Sequence, residues 1–160
     1  MDLGRIIQAF EQGGTPVVRT DFTDDESWEL VIYELTKPDD DGAEAHVTPV
    51  EDRSLRGVTG DLLGSAFDGQ GMSYGYVVLA DARSMAEAVA GEELTVDYVD
   101  VSAADEEDAE LFESFPGRTF RCAALQFASV EVNLSLANMD FAEFADNVGA
   151  DGVFRGFSEA

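Results

Sequence analysis

The sequence predicts an α/β fold, a single three-layer domain in which helices flank a mostly parallel sheet of four or five strands. Two observations predict this fold. Short apolar runs typical of strands recur along the chain, and segments with apolar residues at helical spacing separate them. Strands that alternate with helices are typical of βαβ units, which build parallel sheets. No linker rich in Gly, Pro or Ser divides the chain, so residues 1–160 are expected to form one domain.

The individual elements follow from apolar spacing and from residues that start or stop helices and strands. Thr23 and Glu26 form a capping-box pattern at the start of the second helix, and Pro38 ends that helix. Pro49 predicts that its strand lies at a sheet edge or that the strand ends there, because proline cannot donate a backbone hydrogen bond. In chain order, the predicted elements of this half are a helix at 3–10, a strand at 15–21, a helix at 23–37, a strand at 46–50, a helix at 59–67 and a flexible glycine loop at 69–71.

The C-terminal half continues the alternation. The continuous apolar run at 76–80 is typical of a central strand that is buried on both faces. The segment at 125–137 fits both the spacing of a helix and the alternation of a strand, and we expect a helix. The tail at 152–157 carries two aromatic residues that we expect to pack against the body of the domain. The remaining predicted elements are a helix at 84–89, a strand at 94–99, an acidic helix or loop at 104–113, a strand at 119–123 and a closing helix at 141–148.

Composition excludes several classes of protein. The chain has 34 acidic and 9 basic side chains, a net charge of −25, so it lacks the basic surface that binds nucleic acids. It has a single Cys, which excludes an internal disulfide. With one Cys and one His, it also lacks the four ligands of a zinc finger. No apolar run approaches the ~18–20 residues of a membrane span, and no signal peptide is visible at the N-terminus. We therefore expect a cytoplasmic protein that binds neither nucleic acid nor membrane.

Four aspartates follow predicted strands: Asp21, Asp52, Asp81 and Asp100. In open parallel α/β sheets, ligands bind beyond the carboxyl ends of the strands. Carboxylates that converge there, such as Asp21, Asp52 and Asp81, could bind a divalent cation through their oxygens. The alternative is structural, because Asp at a strand-to-helix turn accepts hydrogen bonds from the first amides of the helix. We expect helix capping to account for most of these residues.

A second set of candidates consists of arginines in a chain that is poor in cations. Arg19, Arg118 and Arg121 are each expected to pair with neighbouring carboxylates, and Arg118 with Arg121 could also bind an anion. Together with Asp21 and Asp81 they form the candidate binding set. The chain has no G-x-x-x-x-G-K-[ST] motif, so nucleotide binding is not expected, and no cofactor is predicted.

Several short strings resemble a known family. They are Val18–Phe22, Val78–Ala82, Pro116–Arg121, Asn133–Phe141 and Gly152–Phe157. Over residues 15–157 the chain resembles an uncharacterised family of small acidic proteins from high-GC bacteria, a domain of unknown function. The resemblance implies no activity that can be transferred to this chain.

The sequence favours a binding function over a catalytic one. A small acidic domain can associate rapidly with a basic partner through electrostatic steering, so the leading hypothesis is an immunity- or adaptor-like module that binds a basic protein through its acidic surface. The alternative hypothesis is a divalent-metal-dependent hydrolase or a small-ligand sensor that uses the aspartates at the carboxyl ends of the strands. The negative charge is also consistent with a role in solubility alone.

Overall fold

The computed structural model describes residues 1–68, 70 and 73–157, so Gly69 and Gly71 of the predicted glycine loop lie outside the described residues. Within this part, the chain forms one six-stranded sheet and seven α-helices. In chain order the elements are α1 (Gly4–Glu11), β1 (Thr15–Arg19), α2 (Asp25–Thr36), β2 (Val47–Val50), a 3₁₀ turn (Arg53–Leu55), α3 (Gly60–Phe67), β3 (Tyr76–Ala80), α4 (Ala82–Ala90), β4 (Thr95–Asp100), α5 (Glu106–Leu111), β5 (Thr119–Ala123), α6 (Ala124–Ser135), α7 (Phe141–Ala145) and β6 (Val153–Phe154).

The sheet has the strand order β2-β1-β3-β4-β5-β6. The pairs β1–β2, β1–β3 and β5–β6 are parallel, while β4 is antiparallel to both of its neighbours. The predicted α/β class and mostly parallel sheet are therefore confirmed, but the predicted four or five strands are wrong. The additional strand is β6, whose two residues are too few to show an alternating pattern in the sequence. It was predicted only as a tail that packs against the body.

Helices cover both faces of the sheet. Along β3, Val78 and Ala80 belong to one apolar cluster, whereas Val77 and Leu79 belong to a second one. The first cluster is completed by α2, α4, α6 and α7, and the second by α1, the 3₁₀ turn and α3. The run at 76–80 is thus a central strand that is buried on both faces, as its continuous apolar sequence predicts. The strand that contains Pro49 is the edge strand β2, also as predicted.

The reversed direction of β4 was not predicted, because a helix between two strands indicates a parallel crossover. Side chains on α4 explain the reversal. The Ser84 hydroxyl donates to the carbonyl of Thr95 (2.7 Å), and the Glu87 carboxylate accepts from both the backbone N–H (2.9 Å) and the hydroxyl (2.7 Å) of Thr95. These bonds fix the first residue of β4 beside α4, at the end of the sheet where β3 finishes. The chain therefore enters β4 in the opposite direction.

Local predictions for two helices have different outcomes. The ambiguous segment at 125–137 is helical, as expected, within α6. The start of α2 is one residue later than predicted, because Asp24 rather than Thr23 caps it. The Asp24 carboxylate accepts from the backbone N–H of Glu26 (3.3 Å) and from the hydroxyl of Ser27 (2.6 Å). The Thr23 hydroxyl instead donates to Asp21 (2.6 Å), in the turn that precedes the helix.

Most of the negative charge lies on the surface, and the two carboxylates that are fully buried in the described part of the chain are hydrogen-bonded. Asp100 accepts hydrogen bonds from Ser102 and Ser114, and Glu131 accepts from the hydroxyl of Thr15. Among the helices of the described chain, none is long and apolar enough to span a membrane.

The contact between α3 and the turn before β5 depends on glycine. A Cβ added to Gly64 would lie 2.5 Å from the carbonyl oxygen of Pro116 and 2.6 Å from the Cα of Gly117. Gly117 itself has a φ of 91°, which is unfavourable for other residues. Because these are backbone atoms, they cannot rotate away as a side chain could. The glycine therefore allows α3 to pack against the sheet at this distance.

We predict that Gly64→Ala destabilises the protein by about 1–3 kcal/mol through overpacking, despite the higher helix propensity of alanine. Thermal unfolding, followed by circular dichroism, should show a midpoint lowered by several degrees. Ser65→Ala is the matched control, since Ser65 is an exposed neighbour on the same helix. A Gly64→Ala midpoint equal to or above that of the control would contradict the close packing.

Candidate functional site

A cleft of about 480 Å³ opens where β1 and β3 end, and we call it the strand-end cleft. It is lined by residues 20–23 after β1, by residues 56–59 before α3, and by Leu79, Asp81, Ala82 and Asp97. From β1 the chain passes along one face of the sheet through α2 to β2, and from β2 it passes along the other face through α3 to β3. The two connections therefore diverge between β1 and β3. This is the position at which open α/β sheets bind ligands.

Backbone hydrogen bonds hold the walls of the cleft together. The N–H of Thr20 donates to the carbonyl of Ala80 (3.1 Å), which joins the ends of β1 and β3. The N–H of Gly57 donates to the carbonyl of Thr20 (2.9 Å), which attaches the segment before α3 to the end of β1. Thr59 then caps α3 by accepting from the N–H of Leu62 (3.3 Å). The cleft is thus formed by segments that are tied to the sheet.

An ion pair between Asp81 and Arg121 forms one side of the site. The guanidinium donates to both carboxylate oxygens of Asp81, at 2.6 and 2.9 Å, in the bidentate arrangement that gives strong pairs. Burial acts to raise the pKa of Asp81, but the hydrogen bonds from Arg121 and Ser84 outweigh it and the pKa is lowered. Asp81 also caps α4 by accepting from the N–H of Ser84 (3.0 Å). It is therefore both a helix cap, as expected, and a wall of the cleft.

The other nitrogens of Arg121 are also bonded within the protein. Its Nε donates to the hydroxyl of Thr95 (2.8 Å), and its Nη2 lies within hydrogen-bonding distance of the Ser84 hydroxyl (3.3 Å) and of the Thr95 carbonyl (3.2 Å). All three guanidinium nitrogens thus have partners in the fold. Arg121 orients Asp81 and has no nitrogen left unbonded for an anion.

Asp97 is the least satisfied carboxylate of the cleft. It lies in the middle of β4, directly opposite Leu79 of β3 and Arg121 of β5, so the three side chains share one face of the sheet. Within the described residues no group donates a hydrogen bond to it. Burial raises its pKa from the ordinary 3.8 to about 6; Arg121 opposes this rise and the charge of Asp81 adds to it.

Asp21 is ionised at the opposite wall of the cleft. Its Oδ1 accepts from both the hydroxyl (2.6 Å) and the backbone N–H (2.9 Å) of Thr23, and these bonds lower its pKa. Arg56, which lines the cleft and is exposed, adds a smaller lowering by its charge. An Asp that accepts a hydrogen bond from the backbone two residues further on stabilises a turn. Asp21 therefore has a structural role in this loop, as the sequence analysis expects of such aspartates.

Arg19 is buried and anchors the end of β1. Its Nη1 lies 2.9 Å from both Asp25 and Glu51, and its Nε donates to the carbonyl of Asp21 (2.9 Å). The guanidinium also stacks on Phe22, at 4.7 Å from the ring centroid, while its Nη2 is buried without a hydrogen-bond partner in the described chain. Arg19 is not among the residues that line the cleft, and it pairs with carboxylates as expected.

The structure separates the other candidates from the cleft. Asp52 is outside the cleft lining and caps the 3₁₀ turn through the N–H of Ser54 (2.9 Å). Asp100 lies at the opposite end of the strands from the cleft, because β4 is reversed and pairs Asp100 with the first residue of β3. Arg118 lies at the same end, where it donates to the Asp146 carboxylate and to the carbonyl of Glu113. The structure therefore does not bring Arg118 and Arg121 together as an anion site.

The alternative metal site of Asp21, Asp52 and Asp81 is not assembled either. Across residues 1–68, 70 and 73–157, the structure contains no group of three or more acidic, His or Cys side chains with the arrangement of a metal site. Asp21 and Asp81 share the cleft, whereas Asp52 does not line it.

Asp97 and its neighbour Thr95 were not predicted as site residues. The sequence did contain one signal for them, because two otherwise apolar strands carry a polar side chain at every second position. These polar residues are Thr95 and Asp97 in one strand, and Thr119 and Arg121 in the other. Such alternation indicates a sheet face that is not fully covered. Nothing in the sequence shows that these two strands are adjacent, so the pairing of Asp97 with Arg121 required the structure.

We predict that Asp97→Asn stabilises the protein at pH 8 by about 1–3 kcal/mol, because the variant removes a carboxylate that ionises in a desolvated position. The raised pKa means that the wild-type protein loses stability as the pH rises through about 6. The difference between the two proteins should therefore disappear near pH 4. Urea unfolding at the two pH values measures it, with Asp40→Asn as the control, since Asp40 is exposed and caps no helix. A variant that is less stable than wild type at pH 8 would show that attraction to Arg121 outweighs burial.

Comparison with known proteins places this fold in a family without an assigned function. No significant match is found among curated proteins, and none is found among solved structures. A family model described as a domain of unknown function, DUF6924, matches residues 14–157. The match includes every strand of the sheet and all residues of the strand-end cleft, and it agrees with the resemblance seen in the sequence; a bacterial origin stays a prediction. The chain belongs to the DUF6924 family.

Proposed function

We propose that this protein is a small-molecule-binding module, and that its ligand is an amine that binds in the strand-end cleft with its ammonium group at Asp97. The observation that carries the proposal is the half-buried Asp97 carboxylate, which faces the cleft and accepts no hydrogen bond from the described chain. A ligand with N–H donors would supply the missing bonds and offset the cost of desolvation.

The remaining walls favour a cation over an anion. Asp21 contributes a second ionised carboxylate, and each of the three guanidinium nitrogens of Arg121 already bonds a group of the protein. Arg56 is the one basic side chain among the described lining residues, and it is exposed. An anion would therefore meet two carboxylates, whereas an ammonium group would be attracted to both.

The apolar part of the lining limits what accompanies the amine. Phe22, Val58, Leu79 and Ala82 line the cleft together with its carboxylates. A volume of about 480 Å³ is within the range of small-molecule sites, roughly 300–1,000 Å³. An amine on a short aliphatic or aromatic carbon skeleton matches both the size and the mixed polarity of the walls.

We predict that benzylamine binds in this cleft and that benzyl alcohol, which has nearly the same shape and no charge, binds more weakly. Two-dimensional NMR titration should show concentration-dependent shifts at residues 20–23, 56–59 and 97. The affinity for benzylamine should fall as the pH drops below about 6, because protonation of Asp97 removes the charge that attracts the ammonium group.

The variant Asp97→Asn should weaken benzylamine binding by about tenfold or more, equivalent to ~1.4 kcal/mol. Asp52→Asn removes the same charge outside the cleft and should leave the affinity unchanged. Equal losses in the two variants would show that benzylamine responds only to net charge. Equal affinity for benzylamine and benzyl alcohol would refute the ammonium site.

A further inference from the structure

A second concave surface lies between α2, α4 and α6, and we call it the α2–α6 groove. It consists of two adjoining cavities of about 370 Å³ each that share Glu34, Lys37, Ala124 and Leu125. The helices that form it cover the first apolar cluster, and the residues that line it are distinct from those of the strand-end cleft. The groove is thus a separate feature.

Exposed apolar side chains lie along this groove. Leu125, in the first turn of α6, is 75% exposed, and Leu30 of α2 is 39% exposed. Tyr33 is one turn beyond Leu30 on α2 and is also exposed, beside the groove rather than in its lining. Within the groove, Ala88 and the buried Leu94 continue the apolar surface. Single exposed apolar residues are common, but two exposed leucines on one concave surface are typical of a binding interface.

The charges around the apolar centre are almost all of one sign. Asp39, Asp40 and Asp41 line one end of the groove, and Glu92 and Glu93 line the other, where Arg155 is already paired with Glu93 at 2.8 Å. Lys37 is the single basic residue among the described residues that line it, and it is already paired with Glu34 at 2.7 Å. An apolar centre with a polar rim is the usual anatomy of a protein interface, and here the rim is acidic.

We propose that the α2–α6 groove binds a basic amphipathic segment of a partner protein, with apolar side chains on Leu125 and Leu30 and with Lys or Arg side chains at the two acidic ends. Charge complementarity selects this occupant. A second copy of this chain would carry the same net charge of −25, and anionic lipid surfaces and nucleic acids would also be repelled. The aliphatic stems of Lys and Arg can cover apolar surface while their charged ends reach the rim.

The test uses a synthetic peptide with leucines at helical spacings of three and four and lysines at the other positions. A scrambled peptide of identical composition has no apolar face and serves as the control for net charge. Calorimetric titration should show binding of the first peptide that weakens with salt, and at least tenfold weaker binding of the scrambled peptide. Equal affinities for the two peptides would overturn the proposal, because charge alone would then explain binding.

Two matched variants locate the site. Leu125→Gln removes the apolar centre of the groove without changing charge, and should weaken binding of the amphipathic peptide about tenfold or more. Leu111→Gln is the control, since Leu111 is 71% exposed beside the acidic residues of α5, away from the groove. Losses confined to Leu111→Gln, equal losses in both variants, or no loss in either would overturn the assignment to the groove. Both side chains are exposed, and unchanged thermal midpoints verify that the variants are folded.

Discussion

The structure depends on the bidentate ion pair between Asp81 and Arg121. This pair connects the end of β3, the start of α4 and the middle of β5, and through Ser84 and Thr95 it includes the start of β4. Removal of one partner from this partly buried pair leaves a charge without its counter-ion, so the two residues constrain each other. All three nitrogens of Arg121 bond other groups, and none of them bonds Asp97. The polar network thus leaves Asp97 without a hydrogen bond in the described chain.

The charge distribution follows from a shortage of cations. Six of the nine basic side chains form ion pairs with carboxylates in the described chain, among them the buried Arg19. In these roles arginine joins loops and strand ends, and most of the other carboxylates are in contact with solvent. The surface therefore carries a large excess of negative charge, and the two regions described above differ in the apolar surface between their charges.

The two proposed binding regions differ in this respect. In the strand-end cleft a half-buried carboxylate is combined with apolar lining residues, of which Val58 and Leu79 are buried, and this combination suits a small molecule. In the α2–α6 groove apolar side chains are exposed and the carboxylates lie at the rim, which suits a larger partner with complementary charge. Burial of Asp97 without a hydrogen bond costs stability, and such costs are typical of sites that are selected for binding rather than for folding. The buried Asp100, in contrast, accepts bonds from two serines and has the character of a structural residue.

The sequence by itself determined the class of the fold, most of the helices and strands, and the central position of β3. These features follow from apolar periodicity and from caps and breaks, which act over a few residues. It also predicted that Asp21 and Asp81 lie together at the carboxyl ends of the strands, and it identified Arg121, although not as the partner of Asp81. Only the tertiary structure decided the direction of β4, which moves Asp100 to the far end of the strands and brings Asp97 into the cleft. The physical reason is that alternation of side chains is the same in either strand direction. The start of β4 is instead fixed by the hydrogen bond that Thr95 accepts from Ser84 and by those that it donates to Glu87, and the local pattern does not encode these contacts.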